Sequence, residues 1–130
     1  MILITGAAGY IGTKLVDFLS KRGMPIRAID NFRVQTVSEI NGVPIEKMDL
    51  TVEEDVKKMV RDVRTIIHLG AISDVAQCET QARDAVLINL LSLKYLIREA
   101  VDAGVEKLFS RLLLPSTIPR STTITRWLGR

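Results

Sequence analysis

Three glycines and one aspartate have the spacing in this sequence that most suggests chemistry. In "TGAAGYIG", Gly6, Gly9 and Gly12 recur at a G-x-x-G-x-x-G interval directly after the apolar run "MILIT". That interval suits a tight turn at Gly6, close approach of a phosphate to backbone at Gly9, and close packing of a following helix at Gly12. The amides of Ala8 to Ile11 and the positive end of that helix then make a site for an anion such as a pyrophosphate. Asp30 stands 18 residues beyond Gly12, at the end of "PIRAID". A carboxylate there can accept both hydroxyls of an adenosine ribose and repel a 2′-phosphate, which favours NAD over NADP. Arg27 and Arg33 lie close enough in sequence to keep NADP open.

Other reactive side chains carry less. His68, the one histidine, has no second histidine and no carboxylate at ligand spacing, so it reads as structural rather than as a metal ligand or general acid. Cys78, the one cysteine, cannot close an internal disulfide and has no evident base beside it. A reducing cytoplasm is the expected compartment.

The elements that must position these residues alternate. "MILIT", "PIRAID", "GVPIEKMD", "RTIIHLGA" and "EKLF" read as five strands. Between them lie helical stretches. In the first, Ile11, Leu15, Phe18 and Leu19 form an apolar stripe; the second, "VEEDVKKMVRD", is capped by Thr51. A long third runs from about Arg83 to Ala103, with Val86, Leu90, Leu93, Ile97 and Val101 on one face. Strands and helices in this alternation predict an α/β fold, a Rossmann-type doubly wound parallel sheet of strand order 3-2-1-4-5. Residues 1–109 form the domain, and 110–130 are expected to be an irregular or disordered tail.

Charge follows the same division. The chain of 130 residues has a formal net charge of +3. Arg111, Arg120, Arg126 and Arg130 lie beyond residue 107 with no acid among them, leaving 14 basic and 15 acidic residues in 1–107, a net of −1. The domain lacks the basic stripe that nucleic-acid binding needs, and no apolar run is long enough to span a membrane.

The motifs "ITGAAGYIGTKL", "AIDNF", "MDLT", "IIHLGAISD" and "NLLSLKYLIREAVDAGVEKLF" together resemble the N-terminal half of the NAD-dependent epimerase/dehydratase family. These are extended short-chain dehydrogenases that act on nucleotide sugars. The resemblance covers about residues 1–109. It implies that Gly9, Tyr10 and Ile11 lie on the pyrophosphate, Asp30 and Asn31 on the adenosine ribose, and Asp49 with Leu50 around the adenine. Leu69, Gly70 and Ala71 would pass along the cofactor, and Asn89 would prop the backbone there from the long helix. Alanine is usual in the family where Gly70 stands, and Gly-Thr is frequent where this chain has Ser92-Leu93.

Family chemistry also needs a tyrosine with a lysine four residues on, a serine or threonine after the fifth strand, and a substrate lobe. Tyr10 has Lys14 at that spacing, but both fall in the phosphate turn, remote from a nicotinamide; Tyr95 is followed by Glu99. The resemblance therefore implies a chain that binds NAD, takes a nucleotide sugar only together with the missing C-terminal part, and carries no catalytic residue of its own. A non-catalytic module that senses NAD or pairs with a partner, or with itself, through its open sheet edge is the alternative. The segment after Phe109 reads as a frame-shifted ending, a truncation or a divergent terminus. A two-base shift in one permitted codon choice turns Ser110 to Thr117 into Ser-Ser-Ser-Ser-Ala-Leu-Tyr, the ending that the family's fifth strand has.

Overall fold

The apolar N-terminal run forms a central strand. β1 (Ile2–Thr5) pairs in parallel with β2 (Ile26–Asp30) on one side and β5 (Thr65–His68) on the other. β4 (Val43–Lys47) extends the sheet past β2, and β6 (Lys107–Ser110) extends it past β5, both in parallel. The computed structural model describes residues 1–72 and 75–110, and its parallel core runs β4-β2-β1-β5-β6. This is the expected 3-2-1-4-5 order; of the tail expected over 110–130, Ser110 instead closes β6, and the rest lies outside the described residues. One further strand, β3 (Glu39–Ile40), pairs antiparallel with β4. Asn41 and Gly42 join the two at φ 50° and 77°, the paired positive values that a two-residue hairpin turn requires.

The helices are α1 (Tyr10–Ser20), α2 (Glu53–Met59), α3 (Val75–Thr80), α4 (Ala82–Val86) and α5 (Ser92–Asp102), with a π-helical turn at Leu87–Leu91 joining the last two. Alternation along the strands divides the interior into two cores. Leu3, Ile29 and Ile66 pack with Val56 and Met59 of α2 and Leu96 and Ala100 of α5. Ile4, Ala28 and Ile45 pack with Val16 of α1.

Both long helices are rotated from their expected faces. On α1, Ile11 and Phe18 are exposed while Gly12 and Val16 are buried, with Leu15 and Leu19 beside the core. A Cβ on Gly12 would lie 2.7 Å from Ala7 Cα, so the helix docks through the residue with no side chain. Along the long helix from α4 to α5, Val86, Leu90, Ile97 and Val101 are exposed, and Ile88, Ser92, Leu96 and Ala100 are buried. Buried Glu99 is met by Arg98, which also reaches Glu53 on α2. Apolar spacing misjudges both faces because glycine, serine and alanine occupy the closest contacts.

His68 is structural. Its Nδ1 lies 2.8 Å from Thr5 Oγ1, and only 4% of the residue is exposed. Thr5 Oγ1 already accepts from the N–H groups of Leu69 and Gly70, at 3.2 Å each. Its own proton therefore goes to Nδ1, which leaves the imidazole neutral with its proton on Nε2. Burial pushes the His68 pKa down to about 4.

This packing can be tested at two residues. Gly12→Ala forces α1 off the turn and should lower unfolding stability by about 1–3 kcal/mol, measured as a shift of the urea midpoint. Because the folded His68 pKa lies below the unfolded value of 6.5, the unfolded chain binds more protons between the two. His68 stabilisation is thus complete above pH 6.5 and falls by about 3 kcal/mol as the pH drops to 4. Urea titrations at about pH 7 and pH 4 on native protein and His68→Gln should show that extra slope in the native protein alone.

Candidate functional site

Parallel strands that end at one level leave their outgoing turns side by side, and ligands of open α/β sheets bind in the crevice between them. Here the turns after β1, β2, β4 and β5 enclose a cleft of about 720 Å³. Gly6 and Gly9 line it from the first turn, Asp30 and Asn31 from the second, Asp49 and Leu50 from the third, and Leu69, Gly70 and Ala71 from the fourth.

The first turn is tightly bonded. Gly6 has φ 68°, and a Cβ there would lie 2.7 Å from the Gly70 amide nitrogen, so only glycine fits. Ala7 N–H donates to Ile29 O at 3.0 Å and Gly9 N–H to Gly6 O at 3.2 Å. Ala8 N–H donates to Asp30 Oδ2 at 3.1 Å. The amides of Ala8 and Gly9 are therefore engaged within the protein, and the anion site expected from Ala8 to Ile11 narrows. Its remaining donors are the amides of Tyr10 and Ile11, which lack an acceptor inside α1 by helix geometry and receive no side-chain cap from Gly9. Tyr10 is 82% exposed. Neither Tyr10 nor Ile11, expected on the pyrophosphate, is among the residues lining the cleft, and Gly12 lies behind the turn.

The other turns are organised by their polar side chains. Asn31 Oδ1 accepts from Arg33 N–H at 3.1 Å. Asp49 Oδ1 accepts from the amide and the hydroxyl of Thr51, at 2.9 and 2.7 Å, while Asp49 N–H donates to Asp55 Oδ2 at 3.0 Å. Thr51 is thus no cap. Val52 holds that position without a side-chain bond, and Asp55 reaches back from the first turn of α2. At Gly70 a Cβ would stand 2.8 Å from Leu50 Cδ1, so alanine there would displace only the end of a flexible side chain.

Asn89 sits in the π-helical turn and pairs with both backbone groups of Ile72. Its Oδ1 accepts from Ile72 N–H at 2.9 Å and its Nδ2 donates to Ile72 O at 3.0 Å. Ile72 lines the cleft directly. Cys78 Sγ donates to the same carbonyl at 3.5 Å, and among the described residues no cluster of His, Cys, Asp or Glu could hold a metal. No described helix is long and apolar enough to cross a membrane.

Arg33, flagged in the sequence by its closeness to Asp30, does line the cleft, whereas sequence reasoning missed Val34, Gln35, Ile72, Gln81 and Ile88. Gln81 and Ile88 are brought in only by the path of the long helix. The two arginines near Asp30 separate. Arg27 Nη1 donates to the carbonyls of Met59 and Arg61, at 2.9 and 2.7 Å, and so closes the end of α2. Arg33 stays at the cleft with Asp84 3.7 Å away.

Known proteins share this fold. UDP-glucose 4-epimerase of Thermus thermophilus, solved in complex with NAD, superposes with a TM-score of 0.77 at 30% identity, over 82% of this chain and 35% of that one. MoeE5, solved with UDP-glucuronic acid and NAD, superposes with a TM-score of 0.74 at 28% identity, over 84% and 35%. UDP-N-acetyl-alpha-D-glucosaminuronate decarboxylase of Bacillus cytotoxicus is 27% identical over 83% of this chain and 35% of its own length. The chain thus spans about a third of the proteins it matches. The NAD dependent epimerase/dehydratase family model accounts for residues 2–119, nearly all of the described fold, and the chain belongs to that family.

Proposed function

We propose that this chain is the NAD-holding portion of a nucleotide-sugar epimerase or dehydratase. The observation that carries the reading is the glycine turn closed onto Gly70 at the mouth of the cleft, with Asp30 at its flank. Gly9 faces the cleft without a Cβ, which would let a diphosphate approach the turn and the start of α1 beside it. Asp30 and Asn31 would meet the adenosine ribose, and Asp49 with Leu50 would border the adenine. Leu69, Gly70 and Ala71 would follow the remainder of the dinucleotide, with Asn89 holding the backbone beyond them through Ile72. Bound NAD would supply a hydride acceptor for a sugar carbon.

The chain's own contribution is grip and orientation. Neither Tyr10 nor Tyr95 lines the cleft; Tyr95 packs against the core between the sheet, α2 and α5. A positioned proton acceptor contributes about 100-fold to 10,000-fold to such a reaction, and no Tyr-Lys pair stands at the cleft among the described residues. Turnover of a nucleotide sugar accordingly belongs to a protein that adds that pair and a substrate lobe. Residues 1–109 by themselves would bind the cofactor only weakly.

Selectivity for NAD would rest on Asp30: Arg27 is committed to the end of α2, which leaves Arg33 as the one nearby arginine at the cleft, and Asp84 lies 3.7 Å from it. Calorimetry should find NAD bound and NADP bound much more weakly. Asp30→Ala should cost about 1.5–3 kcal/mol with NAD, the range for hydrogen bonds to a charged group, and narrow the gap to NADP. Equal affinity for the two in the native protein would refute the assignment. Adding UDP-glucose to the NAD-loaded chain should yield no rise in the near-ultraviolet absorbance of NADH; a stoichiometric rise that Asp30→Ala abolishes would overturn the non-catalytic reading.

A further inference from the structure

Both oxygens of the Asp30 carboxylate are in use without a ligand. Oδ2 accepts from Ala8 N–H at 3.1 Å, and Oδ1 accepts from Phe32 N–H at 2.9 Å. Ala8 belongs to the turn leaving β1, and Phe32, at φ 56°, to the turn leaving β2. One side chain therefore ties together two walls of the cleft.

We infer that Asp30 is a positioning residue for the glycine turn, setting the aim of the Tyr10 and Ile11 amides at a diphosphate in addition to any bond it makes to a ribose. The inference rests on the NAD reading of the cleft. Ala8 is 2% exposed, and a buried amide must find an acceptor or lose the free energy of its hydration. Within the turn the Gly6 carbonyl is taken by Gly9, and Ala7 is held by Ile29. The Asp30 carboxylate is the third anchor, and the amide it holds lies two residues before the first free amide of α1. Without it the peptide between Ala7 and Ala8 can rotate to seek another partner, and the start of α1 turns with it.

Coulomb's law makes the idea testable by sign. A carboxylate beside a diphosphate repels it, so removing Asp30 by charge alone would tighten a ligand that has no ribose hydroxyls to lose. Positioning demands the opposite. The experiment compares ADP with 2′,3′-dideoxyadenosine 5′-diphosphate by calorimetry on native protein, Asp30→Ala and the isosteric Asp30→Asn. Asp30→Ala should weaken the dideoxy ligand at least about fivefold, the lower end for an orphaned buried donor, with Asp30→Asn between it and the native protein. Unchanged or tighter binding of the dideoxy ligand, with ADP weakened, would overturn the positioning role and leave the NAD reading intact. Native protein that binds neither ADP nor NAD would instead defeat the NAD reading. In that event amide exchange on the unliganded protein still decides the tether. Ala8 should exchange several-fold faster in Asp30→Asn while Val105, bonded to Ala100 O, keeps its native rate; equal Ala8 rates would sink it.

Discussion

Thr5 ends β1 with its hydroxyl buried among the ends of neighbouring strands, and that hydroxyl governs the turns on either side of it. It donates to His68 Nδ1 and accepts from the amides of Leu69 and Gly70. Three bonds at one oxygen fix where β5 stops and where its outgoing backbone runs, which is directly over Gly6. The glycine turn can be as tight as it is because nothing but backbone lies across from it. Neutral His68 is part of the same constraint, since a protonated ring could not accept from Thr5 and would have to be charged inside the sheet.

Strand identity and order were legible in the sequence because they depend on local pattern plus a general rule of chirality. Each apolar run is short and bounded by turn residues, and right-handed crossovers leave few ways to arrange five of them. Helix faces were less legible. Apolar spacing assigned Ile11 and Phe18 to the core, yet α1 turns its Gly12–Val16 edge inward; it likewise assigned Val86, Leu90, Ile97 and Val101, yet Ser92 and Ala100 lie inside. A helix comes closest where its side chains are smallest, and a count of large apolar residues is blind to that. The hairpin of β3 and β4 was written in Asn41-Gly42, a strong turn signal of only two residues beside a strand of two.

For the cleft, the sequence supplied the residues and the family resemblance supplied the roles proposed for them. What neither supplied was competition for the same atoms. Ala8 and Gly9 have amides that the glycine pattern offers to an anion, but Asp30 and Gly6 take them. Arg27 has a guanidinium that proximity offered to a phosphate, but carbonyls more than 30 residues away hold it. Spacing can say which groups are near one another in the chain; it cannot say which partner wins when two are within reach.

The π-helical turn at Leu87–Leu91 is the place where the long helix changes phase. A π turn winds in one residue more than an α turn, a slip of about 100° in the direction that side chains point. Beyond it, Ser92, Leu96 and Ala100 are set to the sheet; within it, Asn89 is set to the backbone of Ile72. One helix thus answers to two references that a uniform winding could not satisfy together. A surplus residue that a loop would absorb freely is kept here inside a helix, where losing it would re-aim one half against the other. The length of this segment is therefore as constrained as the identity of its residues.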